Sequence, residues 1–165
     1  MSLSGEVQAE LMKHISKSRH CQLAELAAII SFSGRMILTG ADPRLEIATE
    51  HAGLAKKCYT LLKRAFDISA ELSEQNPGVL YIEEQDAMRR VLMALKFLEE
   101  DGSLHPFRQA VNGMLLQKSC CRRTFVRGAF LASGSMSDPH KSYHFEIVCA
   151  TPQQAEQLRT VISDF

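Results

Sequence analysis

Apolar positions along the chain fall into blocks whose period switches between that of a helix and that of a strand. Val7, Leu11, Met12 and Ile15 make one stripe, predicting an amphipathic helix over 4–18 with Ser4 as its N-cap. Residues 21–32 continue at helical spacing and stop at Gly34, a C-terminal signal. Two short strands, 35–39 and 44–49, flank Gly40-Ala41-Asp42-Pro43, which has turn chemistry. Over 51–66 the stripe Leu54, Cys58, Leu61, Leu62 and Ala65 predicts a helix. Lys56, Lys57, Lys63 and Arg64 oppose it and read as a solvated basic face, with a nucleic-acid patch as the alternative. A second hairpin, 68–73 with 79–83, turns at Asn76-Pro77-Gly78, and a helix over 85–99 follows. Gly102 and Pro106 punctuate 101–117, which reads as a linker. Beyond it come a helix from about 120, an Asp138-Pro139 turn and a strand over 142–149. Thr151-Pro152-Gln153-Gln154 then gives a helix start with a capping threonine, proline at the first position and a glutamine to return the hydrogen bond.

The helix after residue 118 stands apart in composition. Phe125, Gly128, Ala129 and Ala132 share one face at offsets of three and four, with Lys118, Arg122 and Arg123 at its start. A glycine inside a helix costs about 1 kcal/mol against alanine, so close approach of a second helix is the natural compensation. One hundred positions earlier lies a second copy. Cys21 registers with Cys121, Ser33 with Ser133, Gly34 with Gly134 and Met36 with Met136, and the phase holds through Glu46-Ile47 against Glu146-Ile147. This is an internal duplication. Ala24, Ala27 and Ala28 from the first copy, and Gly128, Ala129 and Ala132 from the second, are the expected contact faces.

A small-residue helix ending in Ser-Gly, twice followed by a hairpin, resembles the LAGLIDADG homing-endonuclease fold. Its nine-residue signature lies over Leu26–Gly34 and Val126–Gly134. More closely, residues 120–132, 138–148, 21–28 and 45–50 resemble the WhiA family of bacterial sporulation and cell-division regulators. The similarity spans essentially the whole chain. It implies an α+β pseudo-repeat of helix, hairpin, helix, hairpin, helix, with residues 1–100 as a lead-in helix plus the first repeat. Residues 118–165 would then be the first part of a truncated second repeat. It further implies a C-terminal helix-turn-helix domain in the full-length protein, double-stranded DNA as a partner mainly through that domain, a transcription or division protein as a second candidate partner, and a cytoplasmic, nucleoid-associated location.

Composition changes this picture at one point. At 165 residues and 45% hydrophobic content, the chain can bury a sizeable core. Nineteen basic and nineteen acidic residues cancel. A module that binds DNA by neutralising phosphates gains little from a neutral surface, unless the charge is asymmetric between faces. The second hairpin, with Glu71, Glu74, Glu83 and Glu84, is acidic where the family's is basic, and should repel phosphate. Five cysteines, one pair adjacent, fit a reducing compartment rather than a disulfide framework. Neither a signal peptide nor a membrane-length apolar run is present, which leads us to expect a soluble intracellular protein without membrane contact.

The candidate chemistry follows from these features. LAGLIDADG nucleases need an acid at the eighth signature position of each repeat to hold divalent metal; Ser33 and Ser133 stand there instead. No catalytic residue, no metal and no cofactor is therefore expected, and the chain reads as no enzyme. Glu46 and Glu146 are the one matched acidic pair, and a pair of surface strand positions is their plainer meaning. His20-Cys21 and Cys120-Cys121 invite a zinc reading, although zinc ligands are usually spaced as Cys-x2-Cys; buried free thiols are the plainer reading. By the resemblance, the concave sheet face would offer Arg35, Arg44, Lys141 and His144 to DNA. Arg122, Arg123 and Arg127 could instead meet carboxylates across the helix interface. Three functions compete: a non-catalytic DNA-associated regulator, a protein-interaction module whose DNA affinity lies in another domain, and, disfavoured by the serines, an active nuclease.

Overall fold

Two helices of fifteen residues each, α2 (Arg19–Ser33) and α5 (Ser119–Ser133), pack side by side at the centre of the computed structural model, which describes residues 3–137, 140 and 144–165. Their first turns lie together, so both helices run the same way. Apolar on nearly every side, α2 buries Leu26, Ile29 and Ile30 as well as its alanines, as expected of a helix enclosed by other elements. Before it stands α1 (Leu3–Lys13), which buries no residue fully but lays Leu11 and Met12 against the core. The helix ends earlier than the stripe suggests, and Ser4 lies within it instead of capping it; its hydroxyl accepts from the Met136 amide at 3.3 Å.

After each central helix the chain turns into a hairpin, and the two hairpins share one register. In the first unit, β1 (Gly34–Ile37) pairs antiparallel with β2 (Arg44–Ala48), matching Gly34 with Ile47, Arg35 with Glu46 and Met36 with Leu45. In the second, β5 (Gly134–Met136) pairs with β6 (Phe145–Ile147), matching Gly134 with Ile147, Ser135 with Glu146 and Met136 with Phe145. Every partner is displaced by one hundred positions, the offset of the sequence duplication. Gly34 keeps an extended backbone; a Cβ there would lie 2.7 Å from the Ile30 carbonyl oxygen, so the tight corner between helix and strand excludes other residues.

The first hairpin is completed by α3 (Ala52–Phe66), β3 (Glu71–Leu72), β4 (Val79–Ile82) and α4 (Gln85–Ala94), giving a sheet ordered β1-β2-β4-β3. Leu45, Ile47, Leu80 and Ile82 alternate onto its core face. The helix predicted over 85–99 is shorter because Lys96 turns left-handed and the Phe97 amide closes back on Leu92. Phe97 then meets Phe107 edge-on at 5.0 Å. The 101–117 stretch packs inward at Phe107, Val111 and Leu116 and includes a single 3-10 turn, Gly113–Leu116.

The second unit has α6 (Pro152–Ser163) in the place of α3 and a sheet of two strands among the described residues. Thr151 caps α6, accepting from the Gln154 amide at 3.1 Å while donating to the Arg108 carbonyl at 2.6 Å. Gln154 does not return a bond to the cap itself. Its Oε1 takes the Ala150 amide and its Nε2 reaches Ser31 on α2, so the capping glutamine also bridges the two units. Thr151→Ala is expected to cost about 1–2 kcal/mol, read as a lower urea midpoint with an unchanged slope.

Candidate functional site

The tips of the central helices, where the related nucleases carry their acids, hold hydroxyls. Ser33 is buried; Ser133 is partly exposed and donates to the Val148 carbonyl at 2.6 Å. The fold's nuclease relatives would place a divalent cation here, and the donor set does not fit one. Two neutral hydroxyls lack the negative charge with which paired carboxylates hold a hard dication, and it is the dication that offsets phosphate charge. Nearby acids are committed elsewhere: Glu46 to Arg35, and Glu25 to the interior.

Glu25 is the charged centre of the seam between the two units. Its side chain is fully buried, with Oε2 2.8 Å from Lys57 Nζ on α3 and 2.8 Å from Arg127 Nε on α5. Lys57 is equally buried and donates also to the Leu11 carbonyl at 2.7 Å; Arg127 reaches Ser16 at 2.9 Å. One carboxylate thus ties α1, α2, α3 and α5. The basic face predicted for α3 is corrected here: Lys57 turns inward because Glu25 is the partner that makes its burial tolerable. Burial holds its ammonium below the usual lysine range, with Glu25 opposing. The one acid of α2, set in the apolar run Leu23–Ile30, was the signal in the sequence. Arg127 meets a carboxylate across the interface, whereas Arg122 pairs with Asp164 on the α6 side and Arg123 lies over the Phe165 ring.

The small-residue faces meet along this seam. Ala24, Ala27, Ala28 and Ala129 are fully buried, Gly128 faces Glu25 and Ala28, and Ala132 is partly buried against the core.

On the outer face of the larger sheet, Arg35, Glu46, Tyr81 and Glu71 follow one another across β1, β2, β4 and β3. Arg35 Nε donates to Glu46 Oε1 at 2.6 Å, which draws the Glu46 carboxylate out of water; it is 7% exposed and so is no free surface acid. Arg44 stacks over the Tyr81 ring at 4.6 Å and reaches Glu83 at 3.3 Å. In the second unit His144 lies 3.4 Å from Glu146. Lys141, the Asp138-Pro139 turn and the strand start at 142–143 lie outside the described residues. Of the four DNA candidates, the three described each stand beside a carboxylate.

At the opposite ends of α2 and α5, the first turns bring four metal-ligating side chains together. The ligand atoms of His20, Cys21, Cys120 and Cys121 all lie within 4.8 Å of one another. His20 Nδ1 is 3.3 Å from Cys121 Sγ, 3.4 Å from Cys21 Sγ and 3.8 Å from Cys120 Sγ. With protons in place, burial and Cys120 push the Cys21 thiol up to about 11, and the hydrogen bond from Cys21 holds Cys120 below the usual thiol value. Cys58, buried on the inner side of α3, and Cys149 stand apart from the cluster.

A pair of like helices, each leading into a hairpin of the same register, defines a duplicated LAGLIDADG-like domain. Two family models match the chain: the WhiA N-terminal LAGLIDADG-like domain over residues 19–95 and the WhiA LAGLIDADG-like domain over 122–165. The chain belongs to the WhiA family. Curated relatives named probable cell division protein WhiA, from Alkaliphilus oremlandii and Lachnoclostridium phytofermentans, are each 37% identical over all of this chain and 55% of their own length. The chain therefore spans about half the length of the curated relatives it matches. Among solved structures, full-length DUF199/WhiA from Thermatoga maritima aligns over 100% of this chain and 51% of its own, at a TM-score of 0.64 and 16% identity. The N-terminal LAGLIDADG domain of DUF199/WhiA aligns over 99% of this chain and 74% of its own, with the same TM-score and 20% identity. These likenesses show the fold. No helix among the described residues is long and apolar enough to cross a membrane.

Proposed function

We propose that this chain is the non-catalytic scaffold of a DNA-associated regulator of cell division, sporulation and chromosome segregation, acting on the nucleoid in the cytoplasm. In this reading a nuclease fold is retained for recognition after its chemistry has gone. The observation that carries it is the pair Ser33 and Ser133 at the helix tips, with Glu25 and Glu46 already held by cations. Supercoiled plasmid incubated with this chain and magnesium or manganese should stay intact. Nicking that disappears in Glu46→Gln and Glu146→Gln would overturn this.

The outer sheet face favours one form of that regulator. Arg35 and Arg44 are matched there by Glu46 and Glu83, and Glu71 adds further negative charge, so the face offers phosphate little net attraction. Such a face suits a protein partner, while a helix-turn-helix domain of a longer chain supplies DNA affinity. Titration with duplex DNA at rising salt separates the two forms. We expect weak binding by this chain, with a shallow salt slope, and strong binding only from a chain that also carries the second domain. Tight binding by this chain that collapses with salt and weakens in Arg35→Ala or Arg44→Ala would return the face, with Lys141 and His144, to DNA.

A further inference from the structure

We propose that His20, Cys21, Cys120 and Cys121 form a structural zinc site that pins the first turns of α2 and α5 together. A tetrahedral zinc ion bonded at about 2.0–2.1 Å to nitrogen and 2.3 Å to sulfur holds nitrogen and sulfur roughly 3.5 Å apart and two sulfurs roughly 3.8 Å apart. The three sulfur-to-nitrogen separations, 3.3, 3.4 and 3.8 Å, lie on either side of that nitrogen-to-sulfur spacing and close to it. The full set closes within 4.8 Å. Three thiols and one imidazole are soft and borderline donors, which select zinc over magnesium or calcium.

The spacing objection from the sequence is met by the fold. Adjacent residues on one helix diverge by about 100°, so neither His20-Cys21 nor Cys120-Cys121 could enclose an ion alone. Each helix supplies half of the set, and the duplication places both halves at matching positions of their first turns. Electrostatics agree. A zinc ion with three thiolates and a neutral imidazole carries one net negative charge, and it sits at two helix N-termini, where amide dipoles favour negative charge. Lys118, the residue before α5, lines with Lys96 the cleft that reaches His20 and Cys121. Coordination through Nδ1 leaves the His20 proton on Nε2. Binding would expel the thiol protons to solvent, with no oxidation step.

The test uses the untagged chain, purified with a phosphine reductant and desalted. Elemental analysis should find about one zinc per chain, and a thiol-blocking mercurial should release it to a colorimetric chelator. Cobalt(II) titrated into the stripped protein should give the intense ligand-field and sulfur-to-metal charge-transfer bands of a tetrahedral thiolate site. Cys21→Ser and Cys121→Ser should lose the metal, and Cys149→Ser should keep it. Cys120→Ser guards against misreading an unfolded variant, since Cys120 is only partly buried; it should weaken cobalt binding with the circular dichroism unchanged. The proposal fails if the reduced wild-type chain takes up neither zinc nor cobalt, or if Cys21→Ser and Cys121→Ser retain stoichiometric metal. It fails equally if mass spectrometry finds these thiols joined as disulfides in the isolated protein. None of these outcomes depends on whether the sheet face binds DNA or a protein.

Discussion

Glu25→Ala is expected to lower stability by about 3–5 kcal/mol, because it strips the shared anion from two cations and leaves Lys57 fully buried without a countercharge. The variant should unfold at a much lower urea midpoint, or fail to fold. Lys57→Met gives the contrast. Arg127 still holds Glu25 through Nε at 2.8 Å and Nη2 at 3.4 Å, and an unbranched apolar chain fills the vacated volume, so its cost should be a fraction of that of the alanine variant. Equal losses in the two variants would mean that Glu25 is not the shared anion. A pH dependence follows from Lys57. Its folded pKa lies below the unfolded value, so across the alkaline interval between the two the unfolded chain binds more protons and the Lys57 contribution to stability rises with pH. Lys57→Met should flatten that part of the stability profile.

Gly128→Ala is expected to destabilise the fold even though alanine is the better helix former. A Cβ at 128 would lie 2.8 Å from the Glu25 carbonyl oxygen and 2.9 Å from Ala28 Cβ, one of them backbone and neither a flexible side-chain end. Forcing the seam open costs about 1–3 kcal/mol, partly offset by the roughly 1 kcal/mol that alanine gains in propensity. Gly128→Val, which adds two methyl groups to the same contact, should cost more. Gly113→Ala is the control: nothing lies within 4 Å of its added Cβ, and its thermal midpoint should stay near wild type. A Gly128→Ala protein as stable as wild type would mean that the two helices do not approach this closely.

Much of this architecture was legible in the residue pattern. The duplication was read from Cys21 with Cys121 and Ser33 with Ser133, and the strand registers repeat its offset. Periodicity found the helices but not all their ends. Nothing in the stripe over 85–99 announces that Lys96 turns left-handed, since that bend is set by Phe97 docking on Phe107. Lys57 was misread because an ammonium usually seeks water; only the position of Glu25, supplied by another helix, makes its burial tolerable. The pairing of Arg44 with Glu83 joins positions far apart in the chain, so composition showed the balance of charge but not where it cancels. The convergence of His20 with the cysteines likewise needed the helix ends to meet.

The seam also governs the order of assembly. Arg127 and Glu25 are 102 positions apart, so α2 has no partner for its small-residue face until a long stretch of chain has closed into a loop. Until then its alanines face solvent, and Glu25 has Lys57 as its cation. Local hairpins and α3 can form early, but the centre of the molecule is completed last, by contacts between its most distant parts. Folding should therefore be slow for a chain so rich in helix, and a growing chain halted near residue 100 would expose the very surface around which the finished molecule is built.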